Sequence, residues 1–204
     1  MLLELDTPHG PARAHLHPAD QPRAALVLGH GAGGGVAAPD LLAVTAAAVP
    51  EGLSVALIEQ PYLVAGRRSS APARQLDAAW FAVLEQLASG ELSGLPLVTG
   101  GRSAGARVAC RTAEASGAAG VLCLAFPLQP PARAGKPPAE SRLAELDAVT
   151  VPLLVVQGEK DRFGMPPAGE SRTVVEVAGD HGLRKDPGAV ADAARDWLAV
   201  LTRA

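Results

Sequence analysis

A serine flanked by glycines stands where an apolar run gives way to a helical pattern. Residues 101–105 are Gly-Arg-Ser-Ala-Gly, the G-x-S-x-G spacing with Ser103 at its centre. In a sharp turn from strand to helix, small residues on both sides accommodate a strained backbone, and the serine hydroxyl rises above the edge of the sheet. The pattern predicts that Ser103 is a nucleophile for carbonyl carbon. The alternative is that Ser103 only caps the helix, which serine does well.

A histidine and a carboxylate follow later apolar runs. A serine hydroxyl is a poor nucleophile until a base takes its proton, and an acid must orient that base. His181 follows the run at 173–177, and Asp161 follows the run at 153–156. The order Ser103, Asp161, His181 differs from the orders of chymotrypsin-like and subtilisin-like enzymes. It is the order found in α/β-hydrolases, and it predicts that His181 is the general base.

Three carboxylates compete for the place beside His181. Asp180 is its neighbour in sequence, and neighbouring side chains on an extended loop point apart. Glu159 lies close to the end of its strand and has a longer, less fixed side chain. Asp161 lies at the far side of a turn led by Gly158, from which its carboxylate points back across the edge of the sheet. We therefore predict that Asp161 is the acid.

A glycine-rich segment follows the apolar run at 25–28. Residues 29–35 are Gly-His-Gly-Ala-Gly-Gly-Gly, and repeated glycine lets the backbone approach a substrate closely. We predict that the amides of Ala32 and Ala104 form an oxyanion hole, the latter at the start of a helix. The competing interpretation is a phosphate-binding loop. The segment lacks the Lys-Ser/Thr ending of a P-loop and the full spacing of a dinucleotide fingerprint.

Two arginines stand near the predicted site. Arg67 and Arg68 follow the run at 55–58, and ligands of open α/β folds bind at the carboxyl edge of the sheet. Arginine holds a carboxylate by two parallel hydrogen bonds. The hypothesis is an anionic substrate held by Arg67 and Arg68. The alternative is that both side chains are ordinary solvated surface.

Neither the remaining histidines nor the cysteines predict a metal site. His15 and His17 alternate on one face of an expected strand without a third ligand, so we predict exposed polar residues of an edge strand. Cys110 and Cys123 lie in apolar stretches and are predicted to be small core residues. We expect no metal, no cofactor and no disulfide framework.

Apolar runs alternate with longer helical stretches rich in Ala and Leu. This alternation predicts an α/β fold, a mostly parallel central sheet with helices on both faces. Strands are expected at 2–5, 12–17, 25–28, 55–58, 97–99, 121–125, 153–156 and 173–177, and helices near 39–49, 74–89, 103–116 and 188–201. A hairpin turned at 8–10 joins the first two strands. Residues 127–142, rich in Pro, Ala and Gly, predict a surface excursion or rudimentary lid, and the interval 126–152 is too short for an inserted cap domain.

The length and the net charge of the chain limit the classes of protein to which it can belong. The chain has 204 residues and a formal net charge of -3, which predicts one domain over residues 1–204 and argues against nucleic acid or anionic membranes as partners. The apolar runs are far shorter than the roughly 20 residues that span a bilayer. No basic segment follows Met1, so we predict a cytoplasmic location. Abundant alanine and a large excess of arginine over lysine indicate a bacterium with a GC-rich genome.

Together these motifs resemble the α/β-hydrolase superfamily. Within it, the chain is similar to a small group that includes the testis-expressed hydrolase-like proteins and the hydrolase-like subunit of a histone-acetyltransferase complex. The similar blocks lie in order at 28–33, 100–107, 126–128, 130–131, 135–137, 157–164 and 179–181. The resemblance implies a Ser103–His181–Asp161 triad and the oxyanion loop. One departure is Gly182-Leu183 after the histidine, where a small polar residue and an aromatic are expected.

These residues predict a serine hydrolase that cleaves small carboxylic esters or thioesters through an acyl-enzyme on Ser103. An alternative of another class is a catalytically idle hydrolase fold that serves as a binding or complex subunit. Dienelactone-hydrolase-like chemistry is a closer alternative, and it would be expected to place Cys at position 103. The expected partner is a small ester molecule.

Overall fold

An eight-stranded β-sheet runs through the computed structural model, which describes residues 1–131, 135 and 139–202. The strands are β1 (Leu2–Leu5), β2 (Ala12–His17), β3 (Ala24–Gly29), β4 (Leu53–Glu59), β5 (Leu97–Arg102), β6 (Gly120–Leu124), β7 (Leu153–Gly158) and β8 (Arg172–Val177). Their order across the sheet is β1-β2-β4-β3-β5-β6-β7-β8. β2 pairs antiparallel with both β1 and β4, and the other five pairs of neighbouring strands are parallel, so the predicted mostly parallel sheet is confirmed.

Each predicted strand is present to within three residues at either end. The largest difference is in β5, which continues through residues 100–102 because they pair with β6 up to Arg102 opposite Leu124. Gly100 and Gly101 indicated a turn at this point, but hydrogen bonds to β3 and β6 keep the segment extended. The predicted hairpin joins β1 and β2, with Leu5 opposite Ala12.

The prediction for His15 and His17 is wrong in two respects. Their strand, β2, is not an edge strand, since it lies between β1 and β4. Both histidines are half-buried, and His15 Nε2 lies 3.3 Å from Glu59 Oε2 on β4. Within the described ranges, no three His, Cys, Asp or Glu side chains are grouped as a metal ion would require.

Six helices accompany the sheet in the described ranges. They are α1 (Pro39–Ala48), α2 (Pro61–Val64), α3 (Ala73–Ser89), α4 (Ala104–Thr112), α5 (Leu143–Asp147) and α6 (Pro187–Leu201). The four predicted helices are confirmed as α1, α3, α4 and α6, and α4 ends four residues earlier than expected. The single-turn α2 and the short α5 were missed, because one or two turns carry too little periodicity to register in a sequence. None of the described helices has the length and apolar character needed to cross a membrane.

The helices form a layer on each face of the sheet. Helices α1 and α6 cover one face through Leu41, Val44 and Leu198, while α3, α4 and α5 cover the other through Trp80 and Leu146, among others. The central strands are buried on both faces, which explains their unbroken apolar runs. Cys110 and Cys123 are buried between α4 and β6 as free thiols, in agreement with the prediction.

Part of the predicted excursion at 127–142 lies outside the described residues. Residues 132–134 and 136–138, which include part of the 135–137 block, are not described. The flanks are held in place: the Gln129 amide donates to the Phe163 carbonyl at 2.7 Å, and the Arg142 amide donates to the Leu128 carbonyl at 2.8 Å. The excursion is therefore tied at both of its ends to the body of the protein.

The parallel strands bring their carboxyl ends to one edge of the sheet. The segments after β3, β4, β5, β7 and β8 all leave from this edge. They carry the glycine-rich segment at 29–35, the Arg67 segment, Ser103, Asp161 and His181. The fold therefore gathers residues from five distant parts of the sequence into one region.

Candidate active site

Ser103 occupies a strained turn between β5 and α4. Its backbone has φ 52° and ψ -106°, in a region that non-glycine residues rarely adopt. It stands at the N-cap position of α4, yet its side chain makes no capping hydrogen bond. The hydroxyl instead lies 3.0 Å from Nε2 of His181. The capping role considered from the sequence is therefore not the role of this side chain.

The glycines on either side of the turn permit a very close approach to β3. A Cβ atom at Gly101 would lie 2.5 Å from the carbonyl oxygen of Gly29, and one at Gly105 would lie 2.4 Å from the same oxygen. No side chain fits at these distances. The G-x-S-x-G spacing is thus a packing requirement between the turn and β3, which holds Ser103 at the edge of the sheet.

A chain of hydrogen bonds joins Ser103 to His181 and Asp161. Nδ1 of His181 lies 2.7 Å from Oδ2 of Asp161, which is an obligate acceptor when ionised, so Nδ1 carries the proton. In the neutral ring Nε2 is then an acceptor for the hydroxyl of Ser103. The carboxylate is held by two more donors at 2.9 Å, the amide of Phe163 and Nε2 of Gln157. Asp161 is therefore buried, and three hydrogen bonds set the orientation of its carboxylate.

The two competing carboxylates face elsewhere. Glu159 lies 3.6 Å from Lys160 and 3.9 Å from Lys185, at the surface. Asp180 accepts a hydrogen bond of 2.8 Å from the amide of Gly182, in a turn of its own loop. Neither forms a hydrogen bond with the imidazole among the described residues.

The glycine-rich segment lies directly against the serine. A Cβ atom at Gly31 would lie 3.5 Å from Cβ of Ser103. Ala32, the next residue, is exposed, and Ala104 is the first residue of α4. The segment that contains Ala32 therefore lies beside Ser103, and Ala104 follows Ser103 directly in the chain.

Arg67 and Arg68 are exposed, and neither forms an ion pair in the part of the chain that the structure describes. The carbonyl oxygen of Arg68 would lie 3.4 Å from a Cβ atom at Gly33. The two arginines thus belong to a loop that borders the glycine-rich segment. This neighbourhood is the one predicted from their position after β4.

Arg102 links the loop of the histidine to the body of the protein. Its Nη2 donates to the carbonyl oxygen of His181 at 2.7 Å, and its Nε lies 2.8 Å from Oδ2 of Asp40. Asp40 is completely buried, at the start of α1. Burial raises the pKa of Asp40, and the adjacent Arg102 opposes that shift. The Asp40–Arg102 pair therefore fixes the backbone that carries the imidazole.

We expect Asp40→Asn to lower kcat for a short ester by about tenfold with little change in KM, since a small misplacement of a catalytic group costs up to about 10²-fold. The amide keeps the size of the carboxylate but weakens its hold on Arg102. Steady-state kinetics on folded protein measure the effect. The control is Asp147→Asn, which removes the surface partner of Arg172. A kcat for Asp40→Asn within twofold of that for Asp147→Asn would contradict the positioning role.

An aromatic ring packs against the base. The ring of Phe163 lies 4.4 Å from that of His181, centroid to centroid, at an interplanar angle of 59°. Leu183 stands where the resemblance leads one to expect an aromatic, and it is completely buried in the core. Its backbone has φ 48°, an uncommon conformation for leucine. The aromatic contact to the imidazole is therefore made from the loop after β7.

His30, in the glycine-rich segment, is held as a neutral ring. Its Nε2 accepts from the backbone amide of Gln60 at 3.1 Å, and its Nδ1 lies 2.8 Å from the carbonyl oxygen of Gly31, to which it donates. Burial lowers the pKa of His30 from its usual value of 6.5. Both ring nitrogens are used, so His30 has a structural place here.

This environment predicts a loss of stability in mild acid. Below about pH 6.5 the unfolded chain takes up a proton on His30 while the folded chain does not, so the free energy of unfolding falls as the pH falls. Denaturant unfolding at several values between about pH 8 and about pH 5.5 measures how steeply the free energy of unfolding changes with pH. We expect His30→Gln to make this pH dependence less steep. A smaller pH dependence should remain, and His17 contributes to it because burial lowers the pKa of His17 too. His9→Gln, at an exposed position, is the control, and an equal slope in both variants would contradict the prediction.

The sequence predicted Ser103, His181 and Asp161, which the structure brings into contact, but it gave no indication of several residues that hold them. It did not assign roles to Gln157, Phe163 or Asp40. Gln157 had a signal, because it is a polar residue that directly precedes Gly158 at the end of an apolar strand. Asp40 had none, since a carboxylate in the first turn of a helix is ordinarily exposed.

Several solved structures of similar fold are described as esterases, serine hydrolases or a dienelactone hydrolase. The chain is similar to Est1E from Butyrivibrio proteoclasticus, with a TM-score of 0.79 at 14% identity over 100% of this chain and 99% of that chain; Est1E is also known with ferulic acid bound. An α/β serine hydrolase without lid from Xanthomonas campestris has a TM-score of 0.71 at 20% identity, over 97% and 94% of the two chains. Dienelactone hydrolase from Anabaena variabilis has a TM-score of 0.73 at 14% identity, over 100% and 96%. At these identities the similarity shows the fold.

A family model assigns the sequence to a family more directly than the similar structures do. No curated protein matches it. The model described as an alpha/beta hydrolase domain matches residues 22–186, from the start of the parallel sheet to the last helix. The match covers most of the 204 residues. The chain therefore belongs to the alpha/beta hydrolase domain family.

Proposed function

We propose that this protein is a serine hydrolase that cleaves small carboxylic esters or thioesters through an acyl-enzyme on Ser103. One observation carries the proposal. A continuous hydrogen-bonded chain runs from buried Asp161 through His181 to the hydroxyl of Ser103, with contacts of 2.7 and 3.0 Å. A nucleophile, a base and an orienting acid in this arrangement are the requirements of acyl transfer to serine.

The first half of the reaction forms the acyl-enzyme. The hydroxyl oxygen of Ser103 bonds to the carbonyl carbon of the substrate while Nε2 of His181 takes its proton, and the carbonyl electron pair moves to oxygen. When the carbonyl re-forms, the bond from carbon to the leaving oxygen or sulfur breaks. The proton on His181 passes to the leaving group, which departs as an alcohol or thiol.

The second half releases the acid. A water molecule gives a proton to Nε2 of His181 as its oxygen bonds to the acyl carbon. The bond from that carbon to Ser103 then breaks, and the serine oxygen takes the proton back. The product is a carboxylic acid, and the enzyme returns to its starting state. Throughout, Asp161 keeps the ring in the tautomer in which Nε2 accepts, and it stabilises the imidazolium.

Two backbone amides would stabilise the negative oxygen formed in each half. We assign them to Ala104, at the start of α4, and to Ala32, in the segment against the serine. Helix N-termini favour negative charge, and fixed amide donors cost no reorganisation during the reaction. The contact of Gly31 with Ser103 supports this assignment, since it places the segment beside the reacting atoms.

The surroundings of Ser103 favour short, water-soluble substrates. The interval between β6 and β7 contains only the short helix α5 among its described residues. A relative of the same fold is described as a serine hydrolase without lid, and Est1E has been observed with ferulic acid, a small aromatic acid. Position 103 carries Ser, whereas dienelactone-hydrolase-like chemistry would be expected to use Cys. We therefore favour ordinary small esters or thioesters as substrates.

An open site predicts no interfacial activation. Rates with a short ester should follow a simple hyperbola as the substrate concentration passes through its micellar limit, since no lid has to be displaced. Initial rates with soluble and micelle-forming acyl esters measure this. A steep rise above the micellar concentration would contradict the proposal of an open site.

Labelling with a fluorophosphonate probe tests the function itself. The probe should modify Ser103 specifically, and peptide mass spectrometry would locate the adduct. No labelling of a folded sample would support the alternative, an idle hydrolase fold used as a binding subunit. We propose that alternative only through the resemblance to the testis-expressed and histone-acetyltransferase-associated group, in which some members are subunits. The roles of Arg67 and Arg68 and the cytoplasmic location stay predictions.

A further inference from the structure

The two oxygens of the Asp161 carboxylate are held in different ways. Oδ1 accepts from the amide of Phe163 at 2.9 Å, a contact within its own loop. Oδ2, which lies 2.7 Å from Nδ1 of His181, also accepts from Nε2 of Gln157 at 2.9 Å. Among the described residues, Gln157 is therefore the one donor besides the imidazole that holds the oxygen facing the base.

Gln157 lies near the end of β7 and is completely buried. Its Nε2 has three neighbours that only accept hydrogen bonds: Oδ2 of Asp161, the carbonyl oxygen of Phe126 at 3.0 Å and that of Gly164 at 2.9 Å. These acceptors fix which end of the side-chain amide faces them. Oε1 of Gln157 has no partner among the described residues. The described hydrogen bonds of this side chain are therefore all made by its N–H₂ group.

The end of β6 is hydrogen-bonded both to Ser103 and to Gln157. The carbonyl of Leu124 accepts from the amide of Ser103 at 2.9 Å, and two residues later the carbonyl of Phe126 accepts from Gln157. Between them, Ala125 is completely buried and has φ 49°, a conformation that is uncommon for a residue with a side chain. Such a strained turn persists where the surrounding structure holds it in place. The short segment around Ala125 therefore connects the backbone of Ser103 to Gln157.

The three candidate catalytic residues are thus connected by two routes. The first passes through the imidazole of His181, with contacts of 2.7 Å to Asp161 and 3.0 Å to Ser103. The second passes from Asp161 through Gln157 to the end of β6 and from there to the amide of Ser103. This second route consists of one buried side chain and the backbone at the end of a strand. Supports of this kind fix the orientation of catalytic groups.

We propose that Gln157 is a positioning residue, which holds Asp161 at the distance from Ser103 at which His181 contacts both. This role presupposes the proposed function, in which these three residues are acid, nucleophile and base. Gln157 acts through Asp161, since it is completely buried and its described contacts are to the acid and to backbone carbonyls. Without its donor, Oδ2 is less firmly held toward Nδ1, and the imidazole loses the partner that sets its tautomer.

The first test is kinetic. Gln157→Met keeps the length of the side chain and removes its N–H₂ group. For a short ester, kcat should fall between about tenfold and about 10²-fold, as expected for a displaced catalytic group. KM should stay within about twofold, because the side chain is not exposed to the substrate. The control is Gln86→Met on α3, which removes donation to the carbonyls of Asp6 and Ala82 and should keep both constants.

A double-mutant cycle shows whether Gln157 acts through Asp161. In Asp161→Asn an amide nitrogen faces Nδ1 of His181 in place of Oδ2, so Gln157 has lost its acceptor there. Gln157→Met should then lower kcat by less than about twofold in the Asp161→Asn background. A general effect on the structure would lower kcat by the same factor in both backgrounds, and that result would overturn the proposal.

The hydrogen bond itself is tested without turnover. The proton on Nδ1 of His181 lies in a short hydrogen bond to a buried carboxylate, and such a proton gives a separate NMR signal far downfield. In Gln157→Met this signal should move upfield and exchange faster with water, because the acceptor is held less firmly. It should be unchanged in Gln86→Met. A signal in Gln157→Met that stays in place or moves further downfield would contradict the positioning role.

Thermal melting identifies a variant that fails to fold, since Gln157→Met leaves the carbonyls of Phe126 and Gly164 without this donor. Gln157→Asn then takes its place in all three measurements. It keeps an amide near these carbonyls, but it is shorter by one carbon–carbon bond, about 1.5 Å, and does not reach Oδ2.

The outcomes separate the positioning role from the proposed function. If the downfield signal responds to Gln157→Met while the wild type neither cleaves esters nor reacts with the fluorophosphonate, Gln157 holds the acid as proposed and the hydrolase function fails. If the wild type is active while kcat and the signal are unchanged in Gln157→Met, the hydrolase function stands and the positioning role fails.

Discussion

Ser103→Ala should reduce turnover of a short ester by roughly 10⁴- to 10⁶-fold, the range expected when the nucleophile of a serine triad is removed. The oxygen that forms the acyl-enzyme is lost, and His181 has no hydroxyl to deprotonate. Alanine leaves the rest of the elbow in place, so the fold and the loop of His181 should be unchanged. Steady-state rates and fluorophosphonate labelling both measure the loss.

The control is Ser93→Ala, which removes the hydroxyl of an exposed serine in a turn. It should keep the full rate and the full extent of labelling. If Ser103→Ala keeps more than about a tenth of the wild-type rate, the hydrolysis does not pass through this residue, and the proposed mechanism is wrong.

Asp161→Asn should lower turnover by about 10³- to 10⁴-fold while the protein stays folded, as the loss of the acid does in a related triad. An asparagine turns its amide N–H toward Nδ1 of His181, so the ring adopts the tautomer with its proton on Nε2. That nitrogen can no longer accept the proton of Ser103. The amide of Phe163 can still donate to the asparagine carbonyl oxygen, which preserves the loop.

The matched variants are Asp180→Asn and Glu159→Gln, the carboxylates that also lie near the base in sequence. Each should cost less than about tenfold, because neither contacts the imidazole. Kinetics on the three variants with one ester decide the assignment. A severe loss confined to Asp180→Asn would transfer the role of the acid to that residue.

The strained elbow explains why the sequence pattern is so informative. Glycines at 101 and 105 are required because the backbone passes within 2.5 Å of where their Cβ atoms would lie. This contact depends on the spacing within five consecutive residues and on the strand that precedes them. A local pattern therefore carries information about a three-dimensional contact, and the sequence alone was enough to predict a strained turn at Ser103.

The strands and the long helices could be predicted from the pattern of apolar residues. Unbroken apolar runs are the consequence of burial on both faces of a parallel sheet, and periodic Ala and Leu mark helices with one buried face. The order of Ser103, Asp161 and His181, each directly after a predicted strand, was likewise readable from residue types. The position of β2 in the sheet could not be predicted from the sequence. A short run that alternates buried and half-buried residues has the same pattern in an edge strand and in the strand next to it.

Which side chains come into contact depends on the three-dimensional fold of the whole chain. His181 reaches Ser103 across 78 positions of sequence, and Arg102 reaches the carbonyl oxygen of the same histidine across 79. Such contacts depend on the strand order β4-β3-β5, on the paths of the loops and on rotamers set by packing. These are properties of the whole chain, so no local pattern of residue types contains them.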